Sequence, residues 1–212
     1  MAGRADNLTV ITPATVFDMT TLEDAKVELG VTGDDQDDQI LRWIAEESSA
    51  ICAYTNRTWA EETVTETWFR YDRFWEELIL ERYPVTSITS IVEDGLTLET
   101  TDYLLSERDG IIIRLFQDQP TQWGAFKTVI TYTGGYQLVG TLPSDIEKAC
   151  LRSIKNRALT LTRDPSLRSL RLPGLQEEMY FQTTAQTTSG GSLSLSNEVT
   201  ALLDPYREAR IA

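Results

Sequence analysis

The chain has 212 residues, no histidine, two cysteines, and a formal net charge of −14 from 19 basic and 33 acidic side chains. Without histidine no Ser-His-Asp triad, no Cys-His dyad, no H-E-x-x-H helix and no histidine-containing zinc site can form, and two thiols cannot complete a four-thiolate metal site within one chain. Any catalysis must therefore rest on carboxylates, Lys or Tyr, while 41% hydrophobic content fits a folded chain and no apolar run reaches the roughly 20 residues of a membrane helix.

Residues 8–17 alternate loosely through Leu8, Val10, Ile11, Val16 and Phe17 and include Pro13, which predicts an extended arm or edge strand. Thr20 precedes Glu23 at capping-box spacing, Leu22, Ala25 and Leu29 share a face, and Gly30 is a stop, so a short helix is expected over 21–29. The Asp34–Asp38 cluster suits a helix N-terminus, where unpaired N–H groups favour negative charge. It does not read as a calcium loop, because Ile40 stands where the sharp turn needs glycine. Ile40, Leu41, Ile44, Ser48, Ile51 and Cys52 then mark a longer helix to about Tyr54.

From Thr63 the period changes to two, with Thr63, Thr65 and Thr67 alternating with Val64, Glu66 and Trp68. Leu78–Leu80, Val85–Val92, Leu96–Leu98, Tyr103–Leu105, Ile111–Ile113 and Phe126–Tyr132 follow, with turn signals at Asp94-Gly95 and Asp109-Gly110. Six or seven short strands predict an antiparallel β module, with Trp68, Trp75 and Trp123 in its core or rim. Pro143 opens an amphipathic helix over 143–161, on which Lys148, Arg152 and Lys155 share a face. Residues 162–196, rich in Ser, Thr, Gly and Pro, predict a long excursion, either a loop or a hairpin arm, with Met179-Tyr180-Phe181 as its adhesive point. Ser196 would cap a last short helix containing Val199, Leu202 and Leu203, with Pro205 near its end.

The expected fold class is α+β: a small helical bundle with an inserted antiparallel β module. The bundle comprises the N-terminal helix pair, the 143–161 helix and the C-terminal helix. The expected divisions are 1–62, 63–142 and 143–212. Cys52 and Cys150 fall in predicted helices among apolar neighbours and read as buried thiols. With no apolar signal segment at the N-terminus, a reducing, cytosolic origin is expected. No catalytic, metal-binding or cofactor-binding residues are singled out. Adjacent carboxylates such as Glu46-Glu47 and Glu76-Glu77 do not converge on a helix, and no Gly-rich phosphate loop occurs.

Charge is unevenly spread: residues 1–62 carry −9, 63–142 carry −6, 143–175 carry +4 and 176–212 carry −3. An acidic body carries one basic segment, Lys148 to Arg171, which reads first as a solvated helix face, next as a contact with an acidic surface of another protein or of a second copy, and, with no aromatic residues interleaved, least as a phosphate-binding strip.

The opening Thr20-Thr21-Leu22-Glu23-Asp24-Ala25, the Asp-rich turn and the helix ending Tyr54-Thr55-Asn56-Arg57 resemble those of tailed-phage head–tail connector (adaptor) proteins. Arg82-Tyr83-Pro84-Val85 and Asp94-Gly95 are similar to the β insertion of the longer members. Gly134-Gly135-Tyr136 with Leu142-Pro143-Ser144-Asp145-Ile146, and the ending Leu202–Arg207, are similar as well. The Trp-rich 59–75 stretch and the 183–194 run fall outside the pattern. The resemblance implies a non-enzymatic virion protein that sits in the host cytoplasm during assembly. It would form a ring, commonly of twelve copies, beneath the portal protein. That ring would give tail-terminator or neck proteins a platform and leave a channel for genomic DNA, without sequence-specific binding or a membrane. Two surfaces are expected: Lys148, Arg152 and Lys155 at the ring interface, and Leu202, Leu203, Pro205, Tyr206 and Arg207 on the portal. The competing readings are another neck or tail-completion protein, and a carboxylate-based hydrolase.

Overall fold

The computed structural model describes residues 2–71, 74–162, 169–172, 176–179 and 195–208. In chain order the elements begin with strands β1 (Ala2–Arg4) and β2 (Asn7–Thr12), then helices α1 (Leu22–Leu29) and α2 (Asp37–Thr55). Strands β3 (Glu62–Phe69), β4 (Glu77–Ile79), β5 (Val85–Glu93), β6 (Leu96–Thr97), β7 (Tyr103–Ser106), β8 (Ile111–Phe116), β9 (Gln119–Thr121) and β10 (Lys127–Gly134) follow. Helix α3 (Ser144–Thr162), strands β11 (Ser169–Leu172) and β12 (Gln176–Met179) and helix α4 (Asn197–Leu203) complete the chain. The fold is α+β, and the chain divides into a β unit, Met1–Phe17 with Thr58–Thr141, and a helical unit, Asp18–Arg57 with Leu142–Ala212.

The helical unit follows the sequence signals closely. Thr21, not Thr20, caps α1: its hydroxyl accepts the Asp24 N–H at 3.1 Å, while Thr20 is buried. Gly30 ends the helix at φ 66°, a left-handed conformation that costs glycine little. Lys26 reaches Asp34 at 3.1 Å and Asp37 at 2.5 Å, which ties α1 to the start of α2 and holds its ammonium above the usual lysine range, chiefly through the Asp37 bond. Asp37 and Asp38 occupy the first turn of α2, as the dipole favours. Its buried stripe of Ile40, Trp43, Ile44, Ser48 and Ile51 repeats every three or four residues. In α3 the matching stripe is Ile146, Ala149, Cys150, Ser153 and Ile154, and α3 packs on α1, α2 and α4. Burial pushes the Cys150 thiol up to about 12, so it behaves as a small core hydrophobe. Cys52, expected to be buried as well, is only half-buried because it lies beside the buried stripe of α2. Ser196 caps α4 by accepting the Val199 N–H, and Val199 and Leu203 are fully buried.

The β unit contains two sheets. One runs β2-β3-β10-β5-β6, the other β1-β4-β8-β7 with β9 on β8, and all pairings are antiparallel except β1 with β4. Inward residues of both sheets, among them Val64, Trp68, Leu78, Ile91, Ile112, Ile130 and Tyr132, form one core with Leu80 and Trp123. The Asp94-Gly95 turn has φ of 46° and 89°, the two positive values that suit a tight hairpin between twisted strands.

One further feature differs from the sequence expectation. The N-terminal arm is grouped there with the helix pair, but β2 pairs with β3 from Asn7–Thr67 to Thr12–Thr63, so residues 1–17 belong with the β unit. Hydrogen bonding is the reason: without β2 the edge of β3 would expose a row of unpaired backbone groups. The 162–196 excursion agrees with the hairpin alternative, since β11 and β12 pair antiparallel. Tyr180 and Phe181, and the 183–194 run, lie outside the described residues.

Candidate partner-binding surfaces

The basic face of α3 is built from i, i+4, i+7 spacing, and the structure gives its three members different surroundings. Lys148 is exposed. The Arg152 guanidinium pairs with Glu198 of α4, and the Lys155 ammonium reaches Glu28 of α1 at 2.8 Å. Two residues further on, and so on another face of α3, Arg157 binds Glu46 at 2.5 Å and the buried Glu47 at 3.2 Å. The +4 segment thus spends part of its charge inside its own unit, holding α3 against α1, α2 and α4. Sequence spacing showed the shared face but not these partners, which lie up to 127 residues away.

The C-terminal segment is laced into the same unit. Tyr54 Oη donates to Asp204 at 2.5 Å, Tyr206 Oη donates to Asp145 at 3.4 Å, and the Glu208 N–H donates to the Thr55 carbonyl at 3.0 Å. Arg207 lies 5.3 Å from the Tyr54 ring centroid. Leu203 is fully buried and unavailable to a partner, Leu202 and Tyr206 are half-buried, and Pro205 and Arg207 are exposed. Of the five residues expected at the portal, four therefore retain surface, and the fifth anchors α4.

A third surface escaped the sequence reading. Beyond Phe69 the two-residue period breaks, and Tyr71, Phe74 and Phe126 are exposed at one end of the β unit. Phe69 lies 6.3 Å from both the Tyr71 and Phe126 rings, and Lys127 and Arg70 stand over Phe69 and Phe74. Asp94 fixes this end: its carboxylate accepts the Phe126 and Lys127 N–H groups at 2.9 and 2.8 Å, and these bonds hold its pKa below the ordinary value.

The most perturbed carboxylate is enclosed. Glu66 on β3 is fully buried, accepts from Tyr132 Oη and from the Glu81 N–H at 2.9 Å, and is pushed up to about 7 by burial. Arg82 ties in the neighbouring Glu62 at 2.9 Å and donates its N–H to Tyr132 Oη. Burial, and after it the nearby Glu66 carboxylate, raise the Tyr132 phenol above its ordinary value. Such a carboxylate, closed off in a core, tunes stability and has no access to substrate. Among the described residues no group of three or more His, Cys, Asp or Glu side chains could hold a metal.

Charge, hydrogen-bonding segments and exposed aromatic rings on the surface suit a protein that works by contact. The sequence confirms that class: residues 18–155 match the head completion protein family, and the chain belongs to it. Its role is that of a structural component at the head–tail junction of a phage or phage-like virion. No curated protein matches the sequence. The fold is similar to solved chains from three particle structures. They are the neck of an empty gene transfer agent particle with C6 symmetry (15% identity, TM-score 0.56), the neck of the native particle with C12 symmetry (14%, 0.55) and the virion of the native particle (15%, 0.54). Each likeness covers 97% of both chains.

Proposed function

We propose that this protein is the adaptor of the head–tail junction: a ring of identical subunits beneath the portal protein that links capsid to tail and surrounds the DNA path. The observation that carries this reading is the family match over residues 18–155. The end-to-end fold likeness to chains from necks of C6 and C12 symmetry supports it. The chain's charge is compatible, since a lumen lined by a protein of net charge −14 repels the phosphate backbone and lets DNA pass without sticking. The role requires no catalysis, and the partners are the portal, neighbouring subunits and the tail-terminator or neck proteins below.

Lys148 is the member of the basic face best placed to meet an acidic neighbour, because Arg152 and Lys155 already hold Glu198 and Glu28. Portal docking falls to Leu202, Pro205, Tyr206 and Arg207, presented by α4 with Leu203 as its buried anchor. Mass measurement of the purified chain with and without portal rings tests the reading. A defined multimer on the portal is expected. A chain that stays monomeric beside the portal and binds purified tail components instead would favour a tail-completion role and overturn the adaptor reading.

A further inference from the structure

The β unit exposes two apolar surfaces at opposite ends of one sheet. The first is the N-terminal arm. Leu8 to Phe17 contains no charged side chain in a sequence that is 25% charged, and Ile11, Val16 and Phe17 are 58%, 48% and 55% exposed. The second is the aromatic end, where Tyr71 and Phe126 are 73% and 57% exposed beside Phe69. Thr12 of the arm pairs with Thr63, six residues along β3 from Phe69, so the chain leaves β2 about 20 Å along the strand from the aromatic end at the ordinary strand rise. Soluble proteins seldom expose contiguous apolar patches without a partner for them.

We propose that the arm of one subunit, through Ile11, Val16 and Phe17, packs on the aromatic end of the next copy, through Phe69, Tyr71 and Phe126. This inference rests on the ring reading above and names the contact that closes the ring. Three observations select a second copy as the occupant. A ring of identical subunits joins head to tail and needs two different, matching surfaces on each subunit, and here one unit carries both. Among the described residues at the aromatic end, the carboxylates of Asp6 and Asp94 are turned onto backbone N–H groups, Asp6 onto Phe69 at 2.7 Å, while the rings and the cations Arg70 and Lys127 are left to the partner. An uncharged arm suits that surface, whereas a phosphate backbone would meet a β unit with more acidic than basic side chains.

The arm does not simply extend the sheet. A register shift between Val10 and Thr12 displaces Ile11, and Pro13 lacks the N–H that a further strand pair would need. The contact is one of side chains. Three partly exposed side chains on each face would bury roughly 600 Å² in total, about half of what a stable free interface requires. Copies therefore stay apart in solution and join when a common platform holds them side by side.

The test is cross-linking of portal-bound protein in which the half-buried Cys52 is replaced by serine and Thr15→Cys and Gly124→Cys are introduced together, exposed positions that flank Phe17 and Phe126 and leave all six contact side chains in place, treated with a short bismaleimide. A ladder of dimers and larger species is expected from the double variant, and only monomer from each single variant and from the Cys52→Ser parent. A portal-bound double variant that gives no ladder, or a single variant that gives one, overturns the contact. Wild-type chain that remains monomeric in the presence of portal overturns the ring reading, and this contact with it. As a second measurement, Tyr71→Ser with Phe126→Ser is expected to lower ring recovery at least tenfold while leaving the circular dichroism of the monomer unchanged. Undiminished ring recovery refutes the inference.

Discussion

Replacing Glu66 by glutamine tests how the β core handles charge. The Glu66 side chain accepts two hydrogen bonds, yet its Oε2 atom is buried without a hydrogen-bond partner, and burial lifts the carboxyl from 4.5 to about 7 in the folded chain. Below pH 4.5 both folded and unfolded chains hold the proton, and the group does not perturb stability. Between 4.5 and about 7 the unfolded chain loses the proton first, so the folded state weakens as pH rises, and above about 7 the loss is complete. The gap between the two values corresponds to about 3 kcal/mol, of which about 2 to 3 falls between pH 5 and pH 8. Glutamine keeps an acceptor for Tyr132 and for the Glu81 N–H but cannot ionise. Any cost of its buried amide is the same at both pH values and cancels in the comparison. Urea unfolding followed by tryptophan fluorescence reports on this unit, because Trp59, Trp68 and Trp123 are all fully or almost fully buried in it. The expected result is that Glu66→Gln shifts stability upward by about 2 to 3 kcal/mol more at pH 8 than at pH 5. An equal effect at both pH values would show that Glu66 titrates as an ordinary carboxylate and would refute the argument from burial.

Leu203→Ala should weaken the helical unit by about 2–4 kcal/mol, because it empties a fully buried site beneath α4; the loss is read from far-ultraviolet circular dichroism in urea. Gly134→Ala should be worse than most core truncations. A Cβ there would lie 2.2 Å from the Arg82 carbonyl oxygen, a backbone atom that cannot swing away, so a loss above about 3 kcal/mol or insoluble protein is expected on thermal unfolding. Arg82→Met strands the buried Glu62 and should cost about 3–5 kcal/mol, whereas adding Glu62→Leu should recover most of it. A double variant as unstable as the single one would show that the ion pair is not the cause.

Much of the helical unit was legible because its signals are local. Capping by Thr21 and Ser196, the αL glycine at position 30, acidic first turns and a three-to-four-residue apolar stripe each lie within a few residues of their effect. The α1 cap falls on Thr21 and not on Thr20, one residue along between two threonines of equal chemistry. The alternation of 63–69 and the Asp94-Gly95 turn likewise announced strands and a hairpin. The inward glutamates were not legible as buried groups. Period-two patterning places Glu66 on the face of Val64 and Trp68, but only the packing of Tyr132 and the Glu81 N–H around it makes that tenable.

By itself the sequence determined the fold class, the order and ends of most elements, the exclusion of histidine chemistry and the family. All of these depend on composition or on residues near one another in the chain. Tertiary structure alone decided which strand the arm pairs with and that Leu203 is buried rather than offered to a partner. It also decided that Arg152 and Lys155 are held by Glu198 and Glu28, and that Phe69, Tyr71 and Phe126 gather on an outer end. Each joins groups tens of residues apart. Local propensity carries no information about such meetings, because the burial and hydrogen bonding that favour them exist only once the sheets and helices have closed around them.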